Sequence, residues 1–276
     1  TWERRGNRIV LTGSEDACRQ LAHPWHLFQY NDWAIRADWA WITAGRTSAP
    51  IPASNTVLCP ENVFIEPGAV LECSIINATE GPVYIGRNAT IMEGCLLRGP
   101  VAICEGATLK MGARIYGGTT IGPYCVAGGE IKNSILLAYS NTAHDGSLGD
   151  SVIGAWCNLG AGTTNSNVKN TAGTVSMWGG HDNAFHPIGL KAGLIMGDYS
   201  RSAINTAFNT GTVVGVSCNI FSAGFPPRYI PDFTWGNNRY ELDKALAHIR
   251  NWKALKGHAL QESEINLLEQ LYHQTT

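Results

Sequence analysis

Large aliphatic side chains recur at every sixth position from Ile85: Ile85, Ile91, Leu97, Ile103, Leu109, Ile115 and Ile121, with Ala127 closing the run. The fifth place of each unit is small or β-branched (Ala89, Cys95, Val101, Ala107, Ala113, Thr119, Cys125), and glycine favours the second, as at Gly86 and Gly122. A period of six matches neither the 3.6 of a helix nor the 2 of a strand face. It is the hexapeptide signature of a parallel β-helix, in which each unit is one short strand and a turn. Three units make a triangular coil of roughly 18 residues, and successive coils stack at strand spacing, about 4.8 Å. The frame resumes at Ile153–Gly154 with Cys157 and at Leu159–Gly160 with Thr163. It returns at Met196–Gly197 with Ser200, Phe208 with Thr212, and Val214–Gly215 with Cys218. Upstream, Ile65 with Ala69 and Leu71 with Ile75 run offset by two residues, which predicts a small insertion between Asn77 and Pro82.

The flanks follow other rules. From Pro24 the segment PWHLFQYNDWAIRADWAWI reads as a helix, with Leu27, Phe28, Asn31, Ile35, Asp38 and Ile42 at helical spacing and Pro24 in the first turn. Its tryptophans at 25, 33, 39 and 41 do not share one face, so its apolar surface should meet two partners, one of them the β-helix. Tyr240 to Lys253 and Glu262 to His273 read as two short helices that plug or brace the end of the coil. The expected fold is therefore mainly β: a parallel β-helix with an N-terminal helical segment and C-terminal helices. The expected divisions are a helical segment over 1–46, a Pro-rich linker over 47–60, the β-helix over 61–225, and a turn with helices over 226–276.

Composition narrows the function. The 276 residues carry 20 Lys+Arg and 22 Asp+Glu, a formal charge of -2, which provides no field to attract nucleic acid. Charged residues are only 15% and glycines number 31, which suits short strands and tight turns. No apolar run approaches the roughly 18 residues of a membrane span. The eight cysteines form no C-x-x-C pair, and those at 95, 125, 157 and 218 fall on the small fifth place, so a reducing cytoplasm is expected. The chain begins with Thr1, as a processed or excised portion would.

Function must come from the polar residues that interrupt the repeat. Between Gly99 and Ala143 the only charges are Glu105, Lys110, Arg114, Glu130 and Lys132. Arg114 and Lys132 both hold the sixth place and lie one nominal coil apart, which predicts that they stack on adjacent rungs. Two such cations repel unless an anion offsets them, and a phosphate would use both. The frame then breaks in NSILLAYSNTAHDGSLGD, which carries His144, an imidazole suited to general-base work near neutral pH. Asn158 and Asn167 follow in CNLGAGTTNSNVKN, where Gly160, Ala161 and Gly162 leave backbone N–H groups approachable.

EIKNSILLAYSNTAHDGSLGDSVIGAWCNLGAGTTNSN resembles the acetyltransferase half of bifunctional N-acetylglucosamine-1-phosphate uridyltransferase/glucosamine-1-phosphate acetyltransferase. HPWHLFQYNDWAIRAD, GLIMGDYSRSAINTAFNTGTVVGVSCNIF and GFPPRYIPDFTWG resemble bacterial sugar-phosphate nucleotidyltransferase-like relatives of that enzyme, in which a nucleotidyltransferase domain precedes such a β-helix. The resemblance implies a left-handed β-helix, a homotrimer with sites between subunits, acetyl-CoA as co-substrate, and a sugar phosphate or nucleotide sugar as partner. It also implies roles: His144 the catalytic base, Glu130 its steadying acid, Arg114 and Lys132 the phosphate ligands. Asn158 would contact the sugar, Asn167 would lie near the acceptor amine, and Ala161 would contact acetyl-CoA. Ser147 stands where the family has a sugar-binding tyrosine. Gly173 stands near the place of a later substrate lysine, a part Lys169 could take. The chain has no Gly-rich nucleotide loop for uridyl transfer.

Two other classes fit parts of the pattern. The β-helix could trimerise or regulate a nucleotidyltransferase domain without catalysis. Alternatively, His181 and His186 in GHDNAFH, with His144 upstream, match the spacing of γ-class carbonic anhydrases. GGHDNAFHPIGLKAG lies outside the frame and reads as a projecting hairpin, so no metal is expected in the β-helix.

Overall fold

The period of six becomes three stacked parallel faces in a computed structural model that describes residues 2–5, 8–11, 18–180 and 182–275. The first face stacks Val63–Ile65, Val83–Ile85, Val101–Ile103 and Thr119–Ile121, then the later parts of two long strands, Glu130–Leu136 and Ser147–Ile153. It ends with Leu194–Met196, Thr212–Val214 and Tyr229–Ile230. The second face runs from Val70–Leu71 through Asn141–Thr142, Asn158–Leu159 and Arg201–Ser202 to Thr234–Trp235. The third runs from Thr56–Leu58 through Ile75–Asn77, Leu96–Arg98 and Arg114–Ile115, across the early parts of both long strands, to Thr164–Asn165 and Ala207–Phe208. The chain is thus a left-handed β-helix of about 10 turns.

The aliphatic ladder fills the prism. Ile85, Ile91, Leu97, Ile103, Leu109, Ile115 and Ile121 are each at most 2% exposed, and each such burial contributes roughly 1.5–3 kcal/mol. The cysteines at 95, 125, 157 and 218 are buried beside them, all as free thiols. Each donates to a carbonyl: Cys95 to Lys110, Cys125 to Leu137, Cys157 to Gly197 and Cys218 to Pro231. Burial pushes the Cys125 thiol up to about 12 and that of Cys218 to about 11, so both are packing groups rather than nucleophiles.

The early insertion is present: Val63 pairs with Val83, and the wider turn includes Asn77, whose Oδ1 accepts from the N–H and hydroxyl of Thr79. The offset frame assigned Ile75 to the inward fifth place. Instead Ser74 is buried there and Ile75 is 48% exposed, because Ile76 is the residue that enters the core.

The N-terminal helix α1 (His26–Thr43) covers the first face. Its buried stripe is Phe28, Asn31 and Ile35. Asn31 Nδ2 donates to the Gly118 carbonyl at 2.6 Å and its Oδ1 accepts from the Thr120 hydroxyl at 3.0 Å, so a polar residue fixes where the helix sits. The interruption above Asn167 carries the expected hairpin, Val175–Trp178 paired antiparallel with Phe185–Gly189. Helices α2 (Leu242–Leu255) and α3 (Glu262–Gln274) brace a corner of the prism. They enclose Tyr199, Phe233, Tyr240, Leu246, Ile249 and Leu268, and Lys253 Nζ reaches both oxygens of Glu264 at 2.5 and 2.8 Å.

Candidate functional site

The corners between the second and third faces change size where the sequence leaves its frame. Between Leu109 and Arg114 the corner holds four residues, but between Ala127 and Glu130 it holds only Gly128 and Gly129. A Cβ on Gly128 would lie 2.6 Å from the Ala143 carbonyl oxygen. One on Gly129, whose φ is +66°, would lie 2.6 Å from that of Gly146. Only glycine permits so close an approach. The next corner, Ala143 to Gly146, is again four residues long and carries His144. Above it comes Gly160–Ala161–Gly162, with Gly162 N–H bonded to the Asp145 carbonyl at 2.8 Å. His144 is therefore an exposed imidazole on a corner whose neighbours above and below bear almost no side chains. No side-chain hydrogen bond or ion pair engages it among the described residues.

The shortened corner also corrects the stacking expected of Arg114 and Lys132. Arg114 pairs with Glu130, not with Lys132, because the glycine doublet removes two residues from that coil. Arg114 Nε lies 3.7 Å from Glu130 Oε2, both about half exposed, and Lys132 Nζ lies 5.9 Å from the centroid of the Tyr116 ring. The two cations remain on one face as diagonal neighbours, within reach of long side chains. Glu130 and Ser147 pair directly, so this face borders the His144 corner. Within the chain Glu130 holds Arg114, and no hydrogen bond or ion pair joins it to His144 among the described residues.

The remaining predicted residues are spread around the prism. Asn158 sits on the second face, where its Oδ1 accepts from Asn141 Nδ2 at 2.7 Å. Asn167 stands at the corner between the third and first faces, donating to Asp150 Oδ2 at 2.5 Å while Asn133 donates to Oδ1 at 2.6 Å. That Asn–Asp–Asn column accounts structurally for Asn133, Asp150 and Asn167. Lys169 lies beyond it, its ammonium 2.5 Å from the Thr174 carbonyl. The Ala161 carbonyl accepts from Asn205 N–H at 2.7 Å. Its own N–H makes no hydrogen bond among the described residues, a property shared with Met111 and Glu105 at the same turn position.

Two features escaped the sequence reading. Leu58, Ile75 and Leu96 form a half-exposed apolar stripe beside Arg98, Arg114 and Tyr116, lining a groove of about 240 Å³ on the third face. The doublets Ile75–Ile76 and Leu96–Leu97 were its signal, since one member of each must face outward. The second is Arg201, next to Asn158 in register, whose guanidinium packs 4.9 Å from the Trp252 ring with Nε and Nη2 buried and without a partner among the described residues. Burial pulls its pKa down to about 10. Of the histidines with carbonic-anhydrase spacing, His181 lies outside the described residues. His186 pairs with Asp182 and stacks 6.0 Å from His23. Among the described residues no three His, Cys, Asp or Glu side chains are placed to hold a metal ion, and no helix is long and apolar enough to cross a membrane.

The coil and its interrupted corner are those of a hexapeptide-repeat β-helix, the fold that the motifs suggested. Bifunctional protein GlmU of Synechococcus elongatus is 26% identical to the chain over 206 residues, covering 70% of the chain and 41% of that protein. Bifunctional protein GlmU of Bordetella parapertussis is 34% identical over 132 residues, covering 41% and 27%. The chain thus spans less than half the length of these curated relatives. No family model matches it. Among solved structures, UDP-N-acetylglucosamine acyltransferase of Francisella novicida overlaps 83% of the chain and 86% of its own, at 13% identity and a TM-score of 0.34.

Proposed function

We propose that this β-helix transfers the acetyl group of acetyl-CoA to the amine of an amino-sugar 1-phosphate or a related nucleotide sugar. The supporting observation is the His144 corner, open above and below, bordering a face that presents Arg114 and Lys132. In this reading His144 takes the proton as the amine nitrogen attacks the thioester carbonyl, the carbon–sulfur bond breaks, and the proton is delivered to the departing thiolate. Arg114 and Lys132 hold the sugar phosphate, with Asn158, Asn167 and Lys169 as further substrate contacts. The Ala161 N–H faces the developing oxyanion. Holding both substrates in one slot supplies the proximity contribution.

A single chain does not complete this site, since Glu130 is engaged by Arg114 and the apolar stripe of Leu58, Ile75 and Leu96 lies uncovered. We therefore assign the third face to contacts in a homotrimer, in which Glu130 orients the imidazole of an adjoining copy. The same stripe supports the second reading, a trimerising or regulatory β-helix attached to a nucleotidyltransferase domain that would meet the outer side of α1, where Trp41 is 82% exposed. The buried free thiols and the choice of acetyl donor fit a cytoplasmic setting. A calorimetric screen of acetyl-CoA, UDP-N-acetylglucosamine and several hexosamine 1-phosphates tests between them. Saturable binding of acetyl-CoA and a hexosamine 1-phosphate is expected; binding of none of these would leave only the second reading.

A further inference from the structure

Above the Asn133–Asp150–Asn167 column lies a cavity of about 420 Å³ that shares only Lys169 with the substrate contacts proposed above. Its walls include Ser166, Lys169, Asn209, Thr210, Phe225 and Arg228, and no Asp or Glu is among the described residues lining it. The volume falls within the range of small-molecule sites, about 300–1,000 Å³. Two cations facing one cavity without a carboxylate is an unbalanced arrangement in a chain whose formal charge is -2.

Both cations are held in place by neutral groups. Lys169 Nζ donates to the Thr174 carbonyl, Arg228 Nε to the Thr210 carbonyl at 3.1 Å, and Arg228 Nη2 to the Ser176 carbonyl. The guanidinium also packs 4.7 Å from the Phe185 ring. These contacts fix orientation but neutralise nothing. An ammonium has three donors and a guanidinium five, so most remain for a ligand. Desolvation already lowers the Arg228 pKa, so an anion here would relieve a standing cost. At the rim Phe225 is 65% exposed. It precedes Pro226, a buried proline that restricts the Phe225 backbone. An exposed ring lining the same cavity as two cations offers a flat apolar surface next to an anion site.

We propose that this cavity binds the phosphorylated end of a nucleotide, with Lys169 and Arg228 on the phosphate and Phe225 against the base. Two sources supply that chemistry: the nucleotide end of an acyl-CoA, or a nucleotide sugar. The choice between them rests on the acyl-transfer reading above; nucleotide binding itself does not.

Calorimetry on the whole chain at low salt, with adenosine 3′,5′-bisphosphate and UDP as separate probes, tests it without turnover. At least one probe binds at one per chain. Lys169→Gln weakens it roughly 10- to 100-fold through the lost charge-assisted bond, and Phe225→Ala weakens it by roughly 5-fold or more through lost stacking. The tighter probe identifies the source. The proposal is overturned if neither nucleotide binds, if both variants bind as tightly as the parent, or if inorganic pyrophosphate binds as tightly as the nucleotides. Because Phe225 is so exposed, its variant reports on binding rather than folding. Failure here would leave the roles of His144, Arg114 and Lys132 untouched and bear only on Lys169, and an inert His144 would leave this result standing.

Discussion

The coils from Val83 to Ala127 and those from Gly128 to Asn167 are built from the same six-residue unit, yet only the first set keeps an 18-residue register. Val83, Val101 and Thr119 pair in strict succession. Arg114 pairs with Glu130 and Val126 with Asn141, after shorter coils, and the strands Glu130–Leu136 and Ser147–Ile153 bend round a corner instead of ending at it. The regular coils place aliphatics inside and, of the polar residues proposed for the site, only Arg114 outside. The irregular ones bring His144, Glu130, Lys132 and Asp150 into the second and third faces and their corners. Where the repeat is perfect most positions serve packing, Arg114 being the exception; the other residues of the proposed site collect where a corner is cut or restored.

Substitutions can probe that contrast. Ile103→Ala in a regular coil removes a fully buried side chain and should cost about 2–5 kcal/mol. Thermal unfolding would show it as a fall of several degrees in Tm. Gly129→Ala should cost about 1–3 kcal/mol, because the added Cβ meets a carbonyl and the backbone stays left-handed. Its further effect would be on the neighbouring corner, seen as weaker substrate binding, which Ile103→Ala should not share beyond its loss of folded protein. Arg114→Gln should change stability by less than about 1 kcal/mol, since its pair with Glu130 is half exposed. It should instead raise KM for a sugar phosphate about 10-fold or more while leaving kcat nearly unchanged.

The inward ladder was legible because a period of six admits no other regular structure, and the buried residues from Ile85 to Ile121 followed from it. The exact partners of Arg114 were not legible. Counting by six carries Arg114 to Lys132, and nothing in the residue types says that Gly128–Gly129 subtracts two positions. The doublet itself, directly after the last aliphatic hit at Ala127, was the available warning. Asn167 is a substrate ligand by resemblance; its amide is also bonded to Asp150, a contact made between coils and so invisible along the chain. Arg201 lay inside a regular-looking stretch and Arg228 in the turn expected after the β-helix, and only the placement of α2 and of the Val175–Gly189 hairpin gives them their surroundings.

Acetyl transfer by His144→Ala, measured beside its thermal unfolding, tests the assignment of this corner most directly. The expected result is a rate lowered roughly 10²–10⁴-fold with Tm unchanged, because the imidazole is exposed and makes no side-chain bond among the described residues that would support the fold. An enzyme that keeps its full rate after losing His144 would contradict it.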